Sequence, residues 1–176
     1  MKTEILIFIG PTNAGKTTFS KKFEELGYVC FHYDCRYRDS LHLSDQYGNI
    51  LNYIFSVHSD ILGEFKKYKN RSIVYEGVHF LFKNILCSVL NSVREREISF
   101  IVFDFPFQEL WKRLRARVRD QNRRKYRLQM YCLLAATWLL FKISKSAYCR
   151  LIPQNSLYFI RSQKDLDEFY IRCRNR

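Results

Sequence analysis

Gly10-Pro11-Thr12-Asn13-Ala14-Gly15-Lys16-Thr17-Thr18 lies between an apolar β-branched run, Glu4 to Ile9, and a segment of helical spacing with Phe19, Phe23 and Leu26 on one face. From Gly10 to Thr17 it satisfies G-x-x-x-x-G-K-[ST]. Glycines in that pattern let backbone N–H groups wrap a phosphate, and the following helix offers its positive N-terminus to the anion. Lys16 is then placed to reach the β- and γ-phosphates, and the Thr17 hydroxyl to coordinate Mg²⁺. A strand before the loop and a helix after it are what this mechanism requires. Gly10 to Thr18 is therefore the candidate site for ATP and Mg²⁺. The chain carries no Asn-Lys-x-Asp guanine signature and is short for the switch or coupling segments of GTPases and motor ATPases.

Outward from the loop, strands and helices alternate. Tyr28 to Tyr33 reads as a second strand, Ser72 to Tyr75 as a third, Ile98 to Phe103 as a fourth and Leu157 to Ile160 as a fifth. Helical spacing covers Leu41 to Tyr68, Leu81 to Arg94, Phe107 to about Arg127, Leu128 to Tyr148 and Lys164 to Arg174. Gly27 ends the first helix, and Ser162-Gln163-Lys164-Asp165 has capping-box spacing with Asp for Glu. Such alternation predicts a five-stranded parallel sheet with helices on both faces, a three-layer α/β/α domain. Repeats and low-complexity linkers are lacking, so residues 1–176 are expected to form one domain.

A content of 47% hydrophobic and 16% aromatic residues excludes a disordered chain. The net charge of +13 favours anionic partners, nucleotides and nucleic acid among them. Cysteines at 30, 35, 87, 132, 149 and 173 form no CxxC pair and stand beside no His cluster, which argues against zinc and for a reducing, cytoplasmic setting. Neither a secretory leader nor a span is expected, since the most apolar run, Cys132 to Phe141, is half the length a bilayer needs.

Four further landmarks are Phe31-His32-Tyr33-Asp34, Ile73-Val74-Tyr75-Glu76-Gly77, Phe103-Asp104-Phe105-Pro106 with Leu110-x-x-Arg113-x-x-x-Arg117, and Tyr158-Phe159-Ile160-Arg161-Ser162. With the loop, they make nearly the whole chain resemble the adenylate-kinase-like P-loop phosphotransferases. Two subfamilies are similar in detail. The small adenylate-kinase-related proteins known as DNA topology modulation proteins share the tryptophan-bearing apolar helix and an Arg-Ser ending. Polynucleotide 5′-hydroxyl kinase domains are similar around Asp34 and from Val102 to Leu110, although Tyr37, between Arg36 and Arg38, stands where their pattern has Arg.

The resemblance implies an ATP-dependent kinase with Asp34 as the base that orients or deprotonates the attacking hydroxyl. It also implies an arginine lid over about 107–127, in which Arg113 packs on adenine and Arg117 meets the transferred phosphoryl. Arg36 and Arg38 join Asp34 as candidate acceptor contacts. Glu76 is a candidate for a Mg²⁺-bound water or for the acceptor, and otherwise a cap or loop ion pair. Asp34 has the alternative of capping the helix that follows it.

From Lys112 to Arg127 nine basic residues face one acid, Asp120, a bias that suits either a lid or a track for a phosphate backbone. Asp104 is expected to order a turn. His32, His58, Trp111 and Trp138 are expected to be ordinary packing residues. The apolar helix 128–148 belongs in the core or at a homodimer interface, with docking on a membrane surface as the lesser reading. The expectation is a kinase moving the γ-phosphoryl of ATP to a hydroxyl or phosphate of a nucleotide-like small acceptor. A kinase acting on nucleic-acid ends and a non-catalytic, nucleotide-binding DNA-associated regulator are the alternatives.

Overall fold

The computed structural model describes residues 3–32, 63–77, 83–92, 97–120 and 127–175. Strands β1 (Glu4–Ile9), β2 (Val29–His32), β3 (Ile73–Glu76), β4 (Glu97–Phe103) and β5 (Leu157–Ile160) form a sheet of order β2-β3-β1-β4-β5. All four pairings are parallel. Helices α1 (Lys16–Glu24), α2 (Lys83–Ser92), α3 (Phe107–Asp120), α4 (Arg127–Leu151) and α5 (Gln163–Arg174) cover it. The five expected strands are all present, each within two residues of its expected ends, because each is a short apolar run bounded by turn residues. The capping box at Ser162 and Asp165 is formed as its spacing predicts. Most of the stretch read as helical between Leu41 and Tyr68 lies outside the described residues, which include only a helical turn over 63–67.

Residue alternation along the strands divides the core into two faces. Leu6, Phe8, Val74, Ile101 and Phe103 pack toward α1, α3 and α5, and Ile5, Ile7, Ile9, Tyr75 and Val102 pack toward Val89 of α2 and Phe141 and Tyr148 of α4. The first face is an aromatic cluster. Phe8 lies 5.6 Å from Phe19 and 5.4 Å from Phe103, and Phe19 lies 5.2 Å from Phe23. Aromatic contacts at these distances add about 0.5–1.5 kcal/mol each beyond area burial. They fix the first turns of α1 against β1, and with them the loop between.

α4 is only partly a core helix. Leu134, Phe141 and Tyr148 are buried, whereas Leu128, Leu133, Leu139 and Ile143 are exposed on the single chain. A polar anchor to the sheet adds to this apolar packing. Lys142 donates to Asp104 Oδ1 at 3.0 Å, Lys145 donates to Oδ2 at 2.5 Å, and Arg161 Nε lies 3.8 Å from Oδ2. Burial pushes the Asp104 carboxyl up, but hydrogen bonds from Lys145 and Lys142 outweigh it and hold it below the usual carboxylate range. The Asp104 backbone N–H also donates to the Ile160 carbonyl at 2.8 Å, so one residue joins β4, β5 and α4.

Asp104→Asn is expected to cost about 2 kcal/mol, less than a fully buried pair because both lysines reach solvent. Since the folded pKa is depressed, the contribution is complete above the ordinary carboxylate value of about 3.9 and fades as pH falls through the lower folded value. Urea midpoints at pH 7 and at pH 3 should therefore differ less between mutant and wild type at the lower pH.

Candidate nucleotide and phosphoryl-transfer site

β1 is the central strand, and its carboxyl end runs directly into the loop, at the rim where parallel sheets bind ligands. The chain turns there because Gly10 has no side chain: a Cβ at Gly10 would stand 2.8 Å from Phe103 Cβ and 3.1 Å from the Phe103 carbonyl of the adjacent strand. Asn13 (φ 67°) and Gly15 (φ 87°) take the left-handed conformation, and Gly15 caps α1. Lys16, 4% exposed, donates from Nζ to the carbonyls of Gly10 and Pro11, both at 3.0 Å. Its ammonium therefore sits inside the loop. Thr17 is half-buried in the first turn, and Thr18 is exposed.

Two arginines reach the same loop from α3. Arg113 donates from Nη1 to the Ala14 carbonyl at 3.4 Å and from Nε to Glu109 at 3.0 Å, with its guanidinium 4.2 Å from the Phe105 ring centroid. Arg117, one turn on, donates from Nη1 to Asn13 Oδ1 at 3.2 Å. Leu110, Leu114 and Val118 of α3 are buried, so the arginines are presented by a helix packed into the core. Residues 121–126 of the expected lid lie outside the described residues, as do Asp34, Arg36 and Arg38.

Glu76 ends β3 and is wholly buried. Its strand register pairs it with Phe8 of β1 and with His32 of β2. His32 Nδ1–H donates to Glu76 Oε1 at 2.8 Å, and Nε2–H donates to Glu24 Oε1 of α1 at 3.2 Å. A carboxyl group on each ring nitrogen favours the doubly protonated ring, in which both nitrogens donate. The ring's pKa is raised accordingly, first by the Glu76 hydrogen bond, with burial opposing it. Ser20 Oγ lies 3.1 Å from the same Nδ1 while donating to the Thr17 carbonyl at 3.1 Å. The expectation that His32 is an ordinary packing residue is thus replaced by a bridge between two carboxylates. Beside it, burial pushes the Cys30 thiol up to about 12, with Glu24 and Glu76 adding to the effect.

Two buried polar atoms at this end of the sheet have no hydrogen-bond partner among the described residues: the donor Asn13 Nδ2 and the acceptor Glu76 Oε2. A buried orphan group is costly, and a ligand satisfies it. A donor in the loop suits a phosphate oxygen, and a carboxylate oxygen at the end of β3 suits a hydrated divalent cation. The residues present therefore fit a magnesium nucleotide. One support came with no sequence signal: Thr137 of α4 accepts from the Thr12 backbone N–H at 3.2 Å, although the two are 125 residues apart.

Loop and sheet order together give a P-loop fold, with two arginines of α3 at the loop. No protein-family model matches the chain. No curated protein matches it either. Solved structures do. It is similar to shikimate kinase from Bacteroides thetaiotaomicron (17% identity, 98% of this chain and 96% of that one, TM-score 0.59). It is also similar to deoxyadenosine kinase from M. mycoides with bound dATP (17%, 99% and 100%, 0.57). A chain of the Pnkp1/Rnl/Hen1 RNA repair complex matches with 20% identity over 83% of this chain and 46% of its own length, at a TM-score of 0.56. The fold is thus that of the P-loop kinases of the adenylate-kinase-like type, a three-layer α/β/α arrangement. Among the described residues no helix is long and apolar enough to cross a membrane.

Proposed function

We propose that the chain is an ATP-dependent kinase that moves the γ-phosphoryl group to a hydroxyl or phosphate of a nucleotide-like small acceptor. The observation that carries this reading is the convergence of Lys16, Arg113 and Arg117 on one phosphate loop. Lys16 and Arg117 suit a reaction whose charge spreads over phosphoryl oxygens and which depends on positioning and electrostatics, and Arg113 suits the base of the same nucleotide. Backbone N–H groups of the loop and Asn13 Nδ2 hold the phosphates. Thr17 and Glu76 would hold Mg²⁺, Glu76 through a bound water, and Lewis-acid neutralisation of phosphate charge is the chemistry the ion would supply there. Arg117 stabilises the transferred group, Arg113 packs on the base, and Asp34 takes the acceptor proton, with Arg36 and Arg38 near the acceptor.

ATP consumption measured across nucleosides, nucleotides, sugars and 5′-hydroxyl oligonucleotides tests it. Turnover with a small acceptor supports the reading, and turnover with oligonucleotides alone replaces it by the polynucleotide reading. Asp34→Asn is expected to leave ATP affinity within about twofold and to lower phosphotransfer roughly a hundredfold, the lower end for a lost general base. An unchanged pH–rate profile would show that Asp34 caps a helix instead.

A further inference from the structure

We propose that His32 is a positioning residue: it clamps Oε1 of Glu76 so that Oε2 is kept for the hydrated Mg²⁺ of the bound nucleotide. The inference deepens the kinase reading and rests on it. Four observations carry it. Glu76 is wholly buried, and polar oxygens there need hydrogen-bond partners. One of its oxygens has a partner and the other has none among the described residues. The partner is the residue opposite it in the parallel β2–β3 register, so backbone pairing fixes the approach. The ring is held from its far side by Glu24 at 3.2 Å, and Ser20 ties it to the backbone of Thr17 on the phosphate loop's helix. The groups facing His32 among the described residues are therefore Glu76 from β3 and Glu24 and Ser20 from α1.

Were Glu76 unclamped, its carboxylate would turn among rotamers, and the oxygen offered to a cation would be disordered. Outer partners of metal-holding side chains typically contribute 10–100-fold to metal affinity. Nothing in the sequence around His32 signals this role, because Glu76 is 44 residues away.

The test compares His32→Asn with His32→Gln, two polar replacements that both suit a half-buried position. The Asn amide nitrogen falls near Nδ1 and keeps the bond to Glu76, whereas Gln places its donor near Nε2. Affinity for a non-hydrolysable ATP analogue is measured by calorimetry with Mg²⁺ and again with EDTA, and the ratio gives the metal-dependent gain. We expect wild type and His32→Asn to share that gain, and His32→Gln to lose about tenfold of it while its metal-free affinity is unchanged. Equal gains in the two variants and wild type overturn the clamp and leave the nucleotide site standing. No metal-dependent gain in the wild type overturns the site reading and the clamp together.

Discussion

Lys16→Ala is expected to lower kcat roughly 10³-fold, about 4 kcal/mol of transition-state stabilisation. The magnitude follows from where the ammonium is held. It is buried in the loop and donates to two carbonyls, so it is fixed before the reaction and needs no reorganisation as charge moves to the leaving phosphate. A charge held in a site screened from water acts at low effective dielectric and is worth several times what it would be on the surface. The same two bonds support the loop, so Lys16→Met, which restores most of the volume without the charge, separates the effects. Both variants should lose kcat alike if the charge is what matters. Turnover within tenfold of wild type in a folded Lys16→Ala protein would remove the loop from the chemistry.

The second large effect is expected at Arg117. Arg117→Ala should slow phosphotransfer about a thousandfold, the lower bound for an arginine that neutralises a transferring phosphoryl. Arg115, two residues away on the exposed side of α3, is the control and should change the rate by less than about threefold. The contrast discriminates between two uses of the same basic helix. A catalytic arginine acts on one phosphoryl, so its removal is felt in kcat and not in the salt dependence of binding. A polyanion track sums over many phosphates, so removing Arg115 or Arg117 would weaken oligonucleotide binding equally and lower the salt slope by about one unit each. Equal, small losses of rate at both positions would contradict the arginine's role.

How much of this was legible beforehand depends on sequence separation. The loop, β1, Gly27 and the Ser162–Asp165 cap are local patterns, and each lies where its residues place it. Arg113 and Arg117 were marked by charge and by resemblance, but their targets, Ala14 and Asn13, lie 99 and 104 residues away and only the packing of Leu110, Leu114 and Val118 brings them there. His32 was illegible for the same reason: a lone His at the end of an apolar strand reads as packing until strand order shows which carboxylate stands opposite. Thr137 reads as one more residue of an apolar helix, yet it accepts a loop N–H. The apolar pattern of 128–148 was legible as helix, but its all-round character hid which stripe is buried. Leu134, Phe141 and Tyr148 take that role, and Leu133, Leu139 and Ile143 are left outside.

Transfer of label from γ-³²P-ATP tests the central claim most directly. The protein, Mg²⁺ and a mixed panel of nucleosides, nucleotides and 5′-hydroxyl oligonucleotides are incubated together, and the labelled products are separated by charge and size. The account predicts label on a small nucleotide-like acceptor, dependent on Mg²⁺ and lost in Lys16→Ala. Tight ATP binding with label remaining on ATP, or appearing only as free phosphate, would contradict it and leave a nucleotide-binding protein that transfers nothing.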